Sequence, residues 1–452
     1  MHSPSLSGEI HHKQLRLLKF NLGFFSLILL ATTWKLWIPQ TLFPQVPLFS
    51  WVMIFPVWVD WLTFLVMTAT SVCMLIGYRE TWRKWQRVCG GLFFSAFLIS
   101  ITFDQHRIQP WVYQFALGFL MLIFLNPPRA IRFFRLFVIS IYLYSALSKC
   151  DASFVQTQGR ELVQGLFSGI GISTKYWSDQ SLNWVAASFP VAEFLIALGL
   201  FIPRTRRWAL WAAVSMHVCL MLAVGPFGLN HHGGVLIWNI YFICQDVILF
   251  GFLSKGAPSS SSSISDVDRS LSLKAISSKS VSGSERAVMF IAWFAILVPL
   301  LEPTGYFDHW PAWGLYASHH DRVTLMIDEQ AKTELPRSLQ PFVTSPQPLS
   351  RWCRVRADHW SLAELGVPIY PQARFQLGVA IAVGRILESD TGKGGEQPQV
   401  KLLFEGTAHR FSGKRKISEH IGLTQIELLT ARFWFNAEPR PFTGTEETNL
   451  FR

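Results

Sequence analysis

Along the first 301 residues, long apolar runs alternate with short polar connections: 17–38, 58–77, 88–104, 111–126, 133–149, 184–203, 208–226, 234–253 and 287–301. A membrane-crossing helix needs about 20 mostly apolar residues. The pattern therefore predicts about nine transmembrane helices, the fourth and ninth of them short. Beyond residue 301 the runs shorten. "DRVTLMID" (321–328), "FQLGVAIAVGR" (375–385) and "QVKLLFEG" (399–406) read as strands, and 424–435 as helix or strand. The expected fold is an all-α multi-pass membrane bundle followed by an extramembrane C-terminal domain, α+β or mostly β.

Charge orients this picture. Residues 1–301 hold 23 Lys and Arg against 12 Asp and Glu, and 302–452 hold 17 of each, so the net charge of +11 belongs to the membrane half. A basic chain invites a nucleic-acid reading, but here the basic residues sit in short loops between apolar runs, which argues against one. Lys13, Arg16 and Lys19 precede the first span. Arg79, Arg83, Lys84 and Arg87, then Arg129, Arg132 and Arg135, then Arg204, Arg206 and Arg207 fill alternate connections. The loops 39–57 and 225–233 have neither Lys nor Arg. The positive-inside rule then predicts a plasma (inner) membrane protein with a cytoplasmic N-terminus and residues 302–452 on the external, periplasmic side. The first run follows "HHKQLRLLK" without a small-residue cleavage site, as in a retained signal anchor. The expected organisation is a membrane domain over 1–254, a Ser-rich cytoplasmic linker over 255–286, a last span over 287–301 and the external domain over 302–452. Aromatic "WPAWGLY" just after that span suits an interfacial belt.

Ionisable groups inside spans are costly and are functional candidates by default. Glu193 and His217 fall near the midplane and are expected to pair, directly or through a shared polar partner. Asn239 lies in the outer half of its span and Asp246 deeper. Tyr142, Ser145 and Lys149 follow helical spacing along one stripe. Lys149 ends its span on the non-cytoplasmic side, about 13 Å above Glu193 and His217 at 1.5 Å per residue, which predicts no direct contact with them. The turn "FDQHRIQPWVYQF" crowds Asp104, His106, Arg107 and Gln109 into a connection that needs only a bend. His231 and His232, and then His319, His320, Asp321, Asp358 and His359, have spacings too irregular to fix a ligand set, so no metal is assigned. Of six cysteines, Cys150 and Cys353 could meet an oxidising exterior and pair.

"FDQHRIQPWVYQF", "YLYSALSKCDASFVQTQGRELVQGLF", "FPVAEFLIALGLFIPRTRR" and "SMHVCLMLAVGPFGLNHHGGVLIWN", in that order over residues 85–250, resemble the horizontally transferred transmembrane (HTTM) domain of vitamin K-dependent gamma-carboxylases. DoxX- and MauE-type redox-associated membrane proteins carry a related, looser pattern. The resemblance implies that Lys149 takes the role of a lysine in oxygen-driven hydroquinone chemistry, and that Glu193 and His217 match the family's membrane-embedded acidic residue and histidine. It also shows a departure: Trp111 stands where the carboxylases carry a histidine, with His106 offset, which argues against glutamate carboxylation.

The expectation is thus an outward-facing site. Lys149, His217 and Glu193 would be its catalytic groups. Asp104, Arg107, Tyr142, Ser145 and Asn239 would bind substrate, and a quinone or other lipid-soluble molecule would serve as ligand or cofactor. The contrasting expectation is a non-catalytic scaffold, or a DoxX/MauE-like accessory protein, whose external domain binds a protein partner.

Overall fold

The computed structural model describes residues 6–76, 82–231, 233–251, 281–390, 398–442 and 444. Most of the expected 255–286 linker, and His232, lie outside the described residues. Eight helices among those described are long and apolar enough to cross a membrane, and Pro110–Phe124 is a shorter apolar helix between them. The chain is a multi-pass integral membrane protein.

The helices are α1 (Leu6–Thr32), α2 (Trp34–Trp37), α3 (Trp58–Ile76), α4 (Arg83–Phe103), α5 (Pro110–Phe124) and α6 (Pro127–Ser148). There follow α7 (Ala152–Gln156), α8 (Gln158–Gly169), α9 (Asp179–Phe201), α10 (Arg206–Val224), α11 (Gly233–Asp246) and α12 (Gly283–Leu297). Their ends follow local chemistry. Asn126 accepts from Arg129 N and Pro127 opens α6; Ser178 and Ser282 cap α9 and α12 in the same way. At the end of α11 the ladder widens into a π-turn over Val247–Gly251. Gln14 donates to the carbonyls of Ile248 and Leu249 (2.6 and 3.0 Å), and Arg135 to that of Leu249 (2.9 Å), satisfying acceptors that apolar surroundings would otherwise leave open. Leu62, Leu65, Ile99, Leu195 and Trp211 remain exposed on the spans, as a lipid-facing surface requires.

The C-terminal region holds a four-stranded antiparallel sheet of β1 (Arg322–Asp328), β2 (Trp352–Arg354), β3 (Val400–Glu405) and β4 (Ile417–Ile421), in the order β2-β1-β3-β4. Leu325 faces Leu402 and Ile327 faces Val400 in the β1–β3 register. Helices α13 (Ala357–Leu365), α14 (Ala373–Asp390) and α15 (Leu423–Glu427) complete it. The expected strands 321–328 and 399–406 form, and of 424–435 the part up to Arg432 is helical. The expected strand at 375–385 is instead the body of α14. That helix is enclosed: Leu377, Ile381 and Val383 are fully buried, and at Gly378 a Cβ would meet Val46 Cγ2 at 2.6 Å. An element buried on several sides shows no amphipathic period, and an apolar run then reads equally as strand or helix. "WPAWGLY" is not an interfacial belt, because Trp310 and Trp313 are buried. Cys150 and Cys353 are both free thiols; Cys353 is buried, and Cys150 donates to Ala146 O.

What fastens this region to the bundle is the polar turn between α4 and α5. Gln105 Nε2 donates to Asn436 O (2.7 Å) and Pro47 O (3.0 Å), Arg374 Nε donates to Gln105 Oε1 (2.6 Å), and His106 Nε2 meets Pro368 O (3.0 Å). Arg374 also pairs with Asp308. Burial opposes the Asp308 charge, but the Arg374 guanidinium outweighs it and holds that carboxyl below its ordinary range. Burial pushes His106 down to about 4, so it docks as a neutral ring. Beneath the turn, Arg107 is wholly buried: it reaches Asp60 Oδ1 at 2.5 Å, Leu36 O at 2.9 Å and Ile38 O at 3.2 Å.

This anchor generates a prediction. Removing one partner of a buried ion pair leaves an uncompensated charge and costs about 3–5 kcal/mol. Arg107→Met should lower the thermal midpoint of the detergent-purified protein sharply, and the double variant Asp60→Asn/Arg107→Met should recover much of the loss. Differential scanning fluorimetry on the three proteins checks it.

Candidate functional site

A cavity of about 560 Å³ lies between the bundle and the C-terminal region. Its membrane walls are Tyr142, Ser145 and Lys149 from α6, Glu193 from α9, His217 from α10 and Asn239 from α11. Arg322, Leu325, Arg354 and Val379 line it from the C-terminal side, and Phe189, Trp238 and Phe242 make it largely apolar. The long connection between α6 and α9 contributes Gln158, Glu161 and Leu162 through α8. Helix α8 packs close against the end of α10: a Cβ at Gly169 would stand 2.8 Å from Leu222 O, so only glycine allows that approach.

Lys149 is 4% exposed, and its ammonium points into the protein. Nζ donates to both Glu193 oxygens at 2.9 and 2.8 Å, to Ser145 Oγ at 2.6 Å and to Ser145 O at 3.2 Å. The expected separation of Lys149 from Glu193 is therefore wrong. Side chains on a helix lean towards its N-terminus, so Lys149 folds back over the turn that holds Ser145. Nor does Glu193 pair with His217. Each has its own partners, and the two share only the cavity.

His217 belongs to a chain of short hydrogen bonds. Its Nδ1 is 2.7 Å from Asn239 Oδ1, its Nε2 is 2.7 Å from Tyr142 OH, and Tyr142 OH is 2.5 Å from Asp246 Oδ2. Asn239 Nδ2 donates to Val235 O at 2.8 Å, which makes Oδ1 the acceptor and puts a proton on His217 Nδ1. Tyrosine has one O–H for two neighbours. Either Asp246 is a carboxylate receiving the tyrosine proton while His217 is an imidazolium, or a protonated Asp246 donates to Tyr142 and Tyr142 donates to a neutral His217. Both arrangements hold the same number of protons. The chain can therefore carry a proton between Asp246 and the cavity wall without net gain or loss. Asp246 was legible in the sequence only as a buried acid, and its tie to Tyr142 depends on the packing of α6 against α11.

Asp104 and Arg107 do not border this cavity. Asp104 Oδ1 accepts from His106 N (3.1 Å) at the start of the polar turn, and burial pushes its carboxyl up to about 7. Arg107 is taken up by Asp60. Their neighbours Gln105 and His106 dock the C-terminal region, so the expected placement of Asp104 and Arg107 on the border of this cavity does not hold. His231 lines the cavity beside Tyr316, with burial lowering its pKa. Asp321 accepts from Thr407 Oγ1, and Asp358 pairs with Arg356 and stands 3.9 Å from His359 Nε2.

Residues 127–231 match the family model described as Methylamine utilisation protein MauE. The match supports the looser of the two resemblances. It includes Tyr142, Ser145, Lys149, Glu193 and His217, and leaves out Asn239, Asp246 and the whole C-terminal side of the cavity. No curated protein and no solved structure matches the chain.

The Lys149–Glu193 pair yields a thermodynamic test. Glu193→Gln strands a buried ammonium and should cost about 3–5 kcal/mol, whereas Lys149→Met/Glu193→Gln removes both charges and should melt closer to the parent. A double-mutant cycle on thermal midpoints in detergent reads the coupling directly.

Proposed function

We propose that the protein binds a lipophilic, quinone-type molecule in this cavity and exchanges protons with it. The observation that carries the reading is the placement of a buried Lys149–Glu193 pair on the wall of a large, mostly apolar cavity. An ion pair is expensive in such surroundings, and a ligand oxygen is a partner that would use it. Lys149 is the hydrogen-bond and proton donor to a ring oxygen of the ligand, and Glu193 holds the ammonium in place and accepts its charge. Tyr142, His217 and Asn239 form the opposite polar wall, with Asp246 as the inner end of the proton path. The apolar lining holds the body of the ligand, and Ser145 orients Lys149. The redox-associated class implied by the MauE-type match fits this assignment, and the HTTM-type resemblance places its lysine at the same residue. The Trp111 departure speaks against carboxylation of glutamate.

In this reading the cavity faces the external side. The support is that the connections poor in Lys and Arg and the C-terminal region share one end of the bundle, while Arg129, Arg135 and the α12 N-terminus share the other. Ser260→Cys should be protected from an impermeant thiol reagent in intact cells and react after permeabilisation; labelling in intact cells would invert the topology.

The decisive measurement is mass spectrometry of lipid extracts from the purified protein. A quinone or related prenyl-ring lipid should co-purify at close to one per chain. Lys149→Met, which keeps the stem and removes the charge, should lose it while expression and membrane insertion persist. Equal ligand content in Lys149→Met, or none in the parent, would favour the scaffold reading.

A further inference from the structure

A second cluster stands where the last span enters the C-terminal region, away from Lys149 and independent of the reading above. Glu302, in the 3-10 turn Val298–Thr304, brings Oε1 to within 2.5 Å of His309 Nδ1 and 2.7 Å of His319 Nε2. One ligand atom from each of the three residues lies within 4.8 Å of the others. Glu302 and His319 are buried, and the His309 side chain is 13% exposed. On its far side, His319 Nδ1 faces Asp151 Oδ2 at 3.5 Å, and neither of these buried atoms has a hydrogen-bond partner among the described residues. The other Asp151 oxygen is engaged, capping α7 through Phe154 N at 2.7 Å.

Proton counting exposes what the cluster needs. If Nδ1–H of His319 is directed at Asp151, a neutral ring presents a lone pair at Nε2. That lone pair would then confront the Glu302 carboxylate 2.7 Å away, two acceptors head to head. Either a proton on Nε2 or a metal ion relieves that clash. The two carboxylates, Glu302 and Asp151, face the two imidazoles of His309 and His319, and the Arg410 guanidinium, 4.0 Å from Glu302 Oε2, is half out in solvent. A divalent ion supplies the charge and uses the geometry: two imidazole nitrogens and a carboxylate oxygen on one side, and a carboxylate behind one histidine fixing its tautomer.

We propose that Glu302, His309 and His319 form a binding site for a first-row divalent transition metal of the zinc type, with Asp151 positioning His319. The N,N,O set suits an imidazole-preferring ion rather than calcium or magnesium. Bonds of about 2.0–2.1 Å in tetrahedral geometry put ligand atoms about 3.3 Å apart, so the present contacts need to open by several tenths of an ångström. The partly exposed His309 can supply part of that movement, and a small shift of the Glu302 carboxylate away from His319 supplies the rest. Three protein ligands leave one coordination position open. His320 packs against His309 with ring centres 4.8 Å apart and planes tilted by 42°, and itself lines the main cavity, which puts the site beside that cavity.

Cobalt titration of the chelator-treated, full-length protein in detergent tests this. The parent should bind one Co²⁺ per chain with the intense visible bands of a four- or five-coordinate ion, and Zn²⁺ should displace it. Glu302→Gln and His319→Gln should each abolish the bands, whereas Asp151→Asn should keep them and weaken binding by about tenfold to a hundredfold. Size-exclusion profiles verify folding of each variant, and the parent titration stands without them. Absence of the bands in the parent, or bands and affinity surviving in both ligand variants, would overturn the site and leave a proton as the bridging cation.

Discussion

The rest of the structure depends on burial of one polar turn. Residues 104–109 leave no side chain for water: Gln105 and His106 hold the C-terminal region, while Arg107 reaches down to Asp60 and to the carbonyls that follow α1. A buried guanidinium tolerates few alternatives, so its five donors fix the relative positions of α2, α3 and α4. On that fixed base Arg374 seats α14 through Gln105 and Asp308. The cavity exists because this clamp holds a folded region over the open end of the bundle. The residues that look most like a binding site in the sequence thus act as its foundation.

Within the cavity the same electrostatic rule operates at smaller scale. Every charged or polar group that enters the apolar interior must find a partner there, since water and headgroups are out of reach. Lys149 satisfies the rule with Glu193 and Ser145, and His217 with Tyr142 and Asn239. These are two separate solutions, on two sides of one space. That separation gives the site its chemical character: a fixed positive group with its counter-charge on one wall, and a chain able to relocate a proton on the other.

The MauE-type match covers the segment that supplies Lys149, Glu193 and His217. It stops before α11 and before the region that closes the cavity. The cavity lining from Arg322, Leu325 and Arg354, and the Glu302 cluster, therefore belong to parts of this chain that the match does not reach. Any selectivity among lipophilic ligands would be written there, over a polar core that the matched segment provides.

The sequence by itself determined the approximate limits of the apolar helices, the alternation of basic loops, and the candidacy of Lys149, Glu193, His217, Tyr142, Ser145 and Asn239. Each rests on a local quantity: hydropathy over about 20 residues, or the cost of a charge within such a run. Tertiary structure alone decided who pairs with whom. The reach of Lys149 depended on the lean of its side chain back over Ser145, which a residue count does not contain. The enclosed α14 lost the amphipathic period that marks a helix because bundle and sheet bury several of its sides. Asp104 and Arg107 could not be told from ligand-binding groups, since the partners that take up Arg107, Asp60 and the carbonyls of Leu36 and Ile38, come from other elements brought beside it only by packing. Glu302, His309 and His319 have no motif spacing to read. They meet because the end of a span and two loop histidines converge on the residue that caps α7, a coincidence of packing rather than of sequence.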